Sequence, residues 1–325
     1  MDRRPCSKLG LQLGPWFTQT VRITERLRSR LQGAVLEPFS HGSEPLATTL
    51  DHMGDPGLFG PESITWPVMG DIAALIGGLR ALLIQFAHPE VAAGMVDHSL
   101  FERDPLGRIS RTTHYVASTS FGAMPEVEQA VIAVRRAHRP VRGESHRAVT
   151  YTADDADLSS WVHNALSDSF LASYRTYGPS TLTEEEADQF AAEQQRLGTE
   201  IGADTVPATA AALASWISDR PVVGPSPGAK EVVPFIARPP AGPLMVLGYI
   251  FLYWGACAII PHHLRTVLGV RKYPGAIVAG RMVVRILRWA MGSSPAWEAA
   301  LIRSGAEMPA EIVFIQPLPG SRTES

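Results

Sequence analysis

The 325-residue chain is 45% apolar and 19% charged, and its 29 Lys and Arg against 32 Asp and Glu leave a net charge of -3. That length buries a sizeable core, while the charge balance gives no support for a nucleic-acid partner. With Cys6 and Cys257 as its two cysteines, the chain has neither a disulfide framework nor a CxxC zinc cluster, so any metal falls to histidine or carboxylate.

The segment MDRRPCSKLGLQLGPWFTQTVRITERLRSRLQG is basic but lacks the continuous apolar run of a secretory signal. It reads as cytoplasmic, with a basic amphipathic helix over 18–31. Residues 1–60 then combine that helix with a wrapping segment rich in loop signals, HGSEPLATTLDHMGDPGLFGPES. From Asp71 onward a helical period dominates, over 73–86, 89–96, 106–118, 126–139, 158–177, 184–201 and 208–218. Thr183 and Glu186 form a capping box ahead of the helix carrying Phe190 and Leu197. Asp157 or Ser159 is the expected cap of the helix that ends at Gly178-Pro179. The stretch DRPVVGPSPGAKEVVPFIARPPAGP, 219–243, is loaded with Pro and Gly and reads as a long loop.

Residues 241–260, AGPLMVLGYIFLYWGACAII, carry no charge, which is the minimum for a bilayer span. Three readings compete: a buried core helix, an interfacial membrane contact, and a true span. The glycines, Pro243 and Pro261 favour the first. Helices over 276–291 and 296–303 follow, and Arg265, Arg271, Arg281, Arg285 and Arg288 read as a solvated face that could also meet anionic lipid. Residues 311–325 read as a disordered tail. Sustained alternation is nearly absent, so the expected fold is all-α, one multi-helical domain over 61–310 with irregular N-terminal and Pro/Gly-rich connecting segments.

There is no GxxxxGK[ST] loop, no GxGxxG, no GxSxG elbow and no HExxH, so the usual signatures of nucleotide-dependent, α/β-hydrolase and zincin chemistry are missing. Two other features carry chemistry. Arg108, Arg111 and Thr112 lie at i, i+3 and i+4, close enough to share a helix face. Two permanent cations and a hydroxyl so placed bind an anion or stabilise negative charge as it develops, unless they form an exposed basic turn with Arg108 paired to Asp104. In the next helix Val127, Val131, Val134 and His138 form one stripe, with Pro125 at its start and Pro140 closing it. His138 is then either a metal ligand or, as buried polar groups more often are, a satisfied core histidine. His88, at the end of an apolar helix, reads as a cap; His163 could support a site from behind; His262 and His263 are adjacent and diverge.

The blocks GLRALLIQFAHPEVAAGMVDHSLFERDPLGRISRT, RAHRPVRG and YTADDADLSSWVHNALSDSFLASYRTYG resemble the MpaB and rubber oxygenase catalytic domain family, once classed as DUF2236, which includes the latex clearing proteins. The resemblance covers about residues 70–180 and implies a globin-like helical arrangement around haem b with a proximal histidine. His138 in RRAH matches that position. Arg108 and Thr112 match the family's distal R-x-x-K-T, while Arg111 stands where the lysine would be. A guanidinium keeps its proton and cannot ligate as an amine does, so the distal side is expected open or water-filled. The implied activity is haem-dependent oxygenation or oxidative cleavage of an apolar alkene, isoprenoid or lipid-like, with dioxygen as co-substrate. The membrane-bound fungal members imply a peripheral membrane contact, for which 241–260 is the candidate. A cofactor-free lipid-binding or structural protein is the alternative; a non-haem iron enzyme drawing on His88, His138 and His163 is another.

Overall fold

The computed structural model describes residues 25, 28–33, 46–98, 105–238 and 243–307. The architecture is all-α. In chain order the helices are α1 (Thr65–Gly70), α2 (Ala74–Gln85), α3 (Pro89–His98), α4 (Pro105–Phe121) and α5 (Met124–His138), then α6 (Ala156–Tyr177) and α7 (Glu184–Ile201). They continue as α8 (Ala210–Ser218), α9 (Pro227–Ala237), α10 (Pro243–Ala258), α11 (His262–Leu268), α12 (Ala276–Met291) and α13 (Pro295–Ser304). Between α5 and α6 a short antiparallel hairpin pairs β1 (Arg142–Glu144) with β2 (Thr150–Thr152), Gly143 opposite Tyr151.

α6 is the axis of the molecule. Trp161, Ala165, Phe170, Leu171, Tyr174 and Tyr177 are buried along its length, and it packs on α2, α7 and α8. The closest approach is to α2, where a Cβ on Gly77 would sit 2.8 Å from Phe170 Cδ1 and 3.1 Å from Phe170 Cα. α10 and α12 also meet through glycine: a Cβ on Gly280 would come within 3.4 Å of Gly255 Cα, and the Tyr177 hydroxyl donates to the Gly255 carbonyl at 2.9 Å. Small residues let these backbones close up without leaving a void.

Local signals set several boundaries as expected. Thr183 Oγ1 accepts from Glu186 N at 3.1 Å while Glu186 Oε2 accepts from Thr183 N at 2.7 Å, the reciprocal box that starts α7. The cap of α6 is instead Asp155, whose carboxylate accepts from the amides of Asp157 and Leu158; Asp157 and Ser159 lie within the helix. The stretch 219–243 is not a loop throughout, because Ser226 caps α9, Pro227 occupies its first turn, and Val232, Val233 and Ile236 are buried. Proline at a helix start loses no hydrogen bond, which composition alone hides.

Within the apolar stretch 241–260, Pro243–Ala258 forms α10, packed on α2 and α12, with Tyr253, Ala256 and Cys257 buried. Among the described residues no helix is long and apolar enough to cross a membrane. Of the expected helix over 18–31, residue 25 and residues 28–31 are described, in helical conformation; the Arg28 Nε and Gln32 Nε2 groups donate to the Ala290 carbonyl at the end of α12. The tail 311–325 lies outside the described residues.

Arg288 does not belong to a solvated face. It is buried and forms a fork on Asp71, Nε to Oδ2 and Nη2 to Oδ1 at 2.8 Å each, with a further bond from Nη2 to the Tyr177 carbonyl. Arg80 is likewise buried, against Asp168 at 2.7 Å and the Ser169 hydroxyl. Each guanidinium joins helices distant in sequence, as the low dielectric of a core requires of a buried cation.

Candidate functional site

α4 and α5 form an antiparallel helical hairpin joined by Gly122 and Ala123. Its turn is clamped from outside: the buried Arg303 donates to the carbonyls of Phe121 and Asp55, and Asp55 Oδ2 accepts from Met124 N at 2.9 Å. Antiparallel packing places the first turns of α4, which carry Arg108, Arg111 and Thr112, beside the last turn of α5, which carries His138.

α5 buries Val127 and Val131, leaves Val134 half-buried, and reaches His138 half-buried at its end. The stripe therefore runs as expected, but it rises out of the core, so His138 stands at an edge rather than inside. Burial lowers its pKa below the ordinary value; nearby Asp154 opposes the shift and the positive charge of Arg108 adds to it. At neutral pH the ring is a neutral imidazole, the form that binds metal through a nitrogen lone pair. Arg108 is half-buried, and desolvation together with the charge of Arg111 brings it down to about 10, still protonated at pH 7. Arg111 and Thr112 are exposed. Arg108, Arg111 and His138 thus share one electrostatic neighbourhood, with Thr112 one turn from Arg108 on its solvent side. Asp104, the alternative partner for Arg108, lies outside the described residues.

Further along α4, Tyr115 is held in its neutral form by burial. It lines, with Thr119, His163 and Gln194, a cavity of about 20 Å³ between α4, α6 and α7, about the room one water needs. His163 donates through Nε2 to the Gln194 carbonyl at 2.8 Å. Sequence reasoning missed Tyr115 and Asp154. Tyr115 is four residues after Arg111, so the i+4 rule could have found it; Asp154 reaches His138 only through the fold.

His88 and His98 contact elements away from the α4–α5 hairpin. His88 is buried at the start of α3 against Trp161, its Nδ1 3.4 Å from Glu90 Oε2 without a hydrogen bond, so it caps no carbonyl. His98 Nε2 lies 2.9 Å from the Arg142 carbonyl. Among the described residues no three of His, Cys, Asp or Glu gather to hold a metal ion.

The family model described as ER-bound oxygenase mpaB/B'/Rubber oxygenase, catalytic domain, matches residues 66–289, from α1 to α12. The chain belongs to this family. No curated protein and no solved structure matches it at a significant level. The matched span of the mpaB/rubber oxygenase domain contains all four candidate residues, and an oxygenase-type activity follows from membership. A haem asks the protein for one neutral imidazole nitrogen and for polar groups that face the open side of the iron. His138 has an imidazole, and Arg108 and Arg111 have guanidinium groups, so the residue types present in this mpaB/rubber oxygenase domain are compatible with a haem.

Proposed function

We propose that the protein is a haem-dependent oxygenase acting on an apolar alkene, isoprenoid or lipid-like, with dioxygen as co-substrate, built as one helical body over 61–310. The observations that support this reading are the half-buried His138 at the end of α5, on which burial and the charge of Arg108 act, and the match of residues 66–289 to an oxygenase family. His138 would hold the iron through a ring nitrogen, its donor strength set by what the other nitrogen contacts. Haem, when bound, supplies the redox-active iron at which dioxygen is reduced. The guanidinium groups of Arg108 and Arg111 can donate hydrogen bonds and stabilise negative charge that develops on oxygen, but do not ligate. Thr112 offers a hydroxyl that can donate or relay a proton to the same region.

The test is an absorption spectrum of the purified protein, oxidised and reduced, with a pyridine haemochrome assay for stoichiometry. A Soret band at one haem per chain is expected, lost in His138→Ala. In Arg108→Ala haem should remain while kcat falls about a hundredfold or more, as for loss of a preorganised charge-stabilising donor. Haem retained at full stoichiometry by His138→Ala overturns the ligand assignment. A protein that takes up no haem even when the precursor is supplied returns weight to a cofactor-free lipid-binding protein.

A further inference from the structure

A second cavity, of about 530 Å³, lies between α9, α10 and the segment that follows α11. None of its lining residues belongs to α4 or α5, so it is separate from the hairpin that carries His138. The size is that of a small-molecule site. Its floor is apolar and buried, made by Ala229, Val233, Tyr253 and Leu268. Its rim carries three exposed cations, Lys230, Arg238 and Arg271, beside Tyr273, whose ring stacks on Trp254 at 4.9 Å.

Among the described residues no carboxylate lines this cavity. The sequence contains no Asp or Glu from Val232 to Trp297, a stretch that includes Arg238 and Arg271; Glu231, next to Lys230, does not line the space. No described residue pairs with the side chains of Lys230, Arg238 or Arg271. Three like charges around one opening repel each other, and an anion placed among them relieves that repulsion. The buried floor beneath them favours an apolar chain over a free ion.

We propose that this cavity binds an anionic single-chain amphiphile, its carboxylate or phosphate head held by Lys230, Arg238 and Arg271 and its apolar chain laid against Val233, Tyr253 and Leu268. The cationic rim selects the charge and the floor selects the chain, so neither a short-chain acid nor an uncharged chain satisfies both.

Equilibrium dialysis of the full chain against dodecanoate below its micellar concentration tests this, with dodecan-1-ol and acetate as controls. Saturable binding of one dodecanoate per chain is expected, with the alcohol and acetate weaker by about tenfold or more. A Lys230→Ala/Arg271→Ala double variant should lose about tenfold or more in affinity, the worth of one or more charge-assisted hydrogen bonds. Both positions are exposed, and an unchanged circular dichroism spectrum confirms the fold. Arg238→Glu, a charge reversal at the rim, should weaken binding further. His138→Ala should bind dodecanoate as the parent does, which keeps this result independent of the haem assignment. Equal binding of dodecan-1-ol, full affinity in the double variant, or no saturable binding overturns the proposal. So does sedimentation with phosphatidylglycerol vesicles without binding of monomeric dodecanoate, which would make the face a membrane contact instead.

Discussion

His163 and His88 show what burial does to a single titratable side chain. Burial lowers both to about 4; a bond to the Gln194 carbonyl opposes it at His163, and the Glu90 carboxylate opposes it at His88. A folded pKa below the unfolded value of about 6.5 means the unfolded chain takes up protons first. The stability associated with each neutral ring is therefore complete above pH 6.5 and is lost as pH falls towards 4. For each ring the full loss is on the order of 3 kcal/mol. Urea melts of the parent and of His163→Gln between pH 7 and pH 4.5 check this: the variant should show the shallower decline, and parallel curves would show that His163 does not titrate as described. From sequence, His163 was recognisable as a residue near a helix start, but its partner was not, because Gln194 lies on a different helix.

At the scale of the element, α2 carries two adjacent glycines with opposite roles. A Cβ on Gly77 meets Phe170 at 2.8 Å and the backbone of α6 just beyond, whereas one on Gly78 meets nothing within 4 Å. Gly77→Ala should destabilise by about 1–3 kcal/mol through overpacking against a neighbour that cannot retreat. Gly78→Ala should stabilise by up to about 1 kcal/mol, the ordinary gain in helix propensity. Chemical denaturation of the two single variants separates the effects, and similar shifts in both would deny the close α2–α6 contact. Helix existence and the α7 capping box were legible because apolar period and cap residues act within a few positions. α9 was not, since Pro and Gly mark loops and helix starts alike, and only the burial of Val232, Val233 and Ile236 against other elements distinguishes the two.

For the whole molecule, buried guanidiniums serve as long-range ties. Arg288 joins α12 to Asp71 at the start of α2 across 217 positions, and Arg303 joins α13 to the α4–α5 turn across 182. Arg288→Met should cost about 3–5 kcal/mol, because it leaves Asp71 buried without its partner. Adding Asp71→Asn should recover part of that loss, a coupling that a double-mutant cycle measures; additive losses would deny the tie. The sequence by itself determined the helical class, most helix positions, the family resemblance and the residue types of the candidate site, because period, caps and motif order are local properties of the chain. Tertiary structure alone decided that His138 sits at an edge beside Arg108 with Asp154 near, that Arg288 is interior, and that Lys230, Arg238 and Arg271 ring an apolar floor. Those facts depend on which helices meet, and Coulomb and desolvation energies follow distance and burial in space rather than separation along the chain.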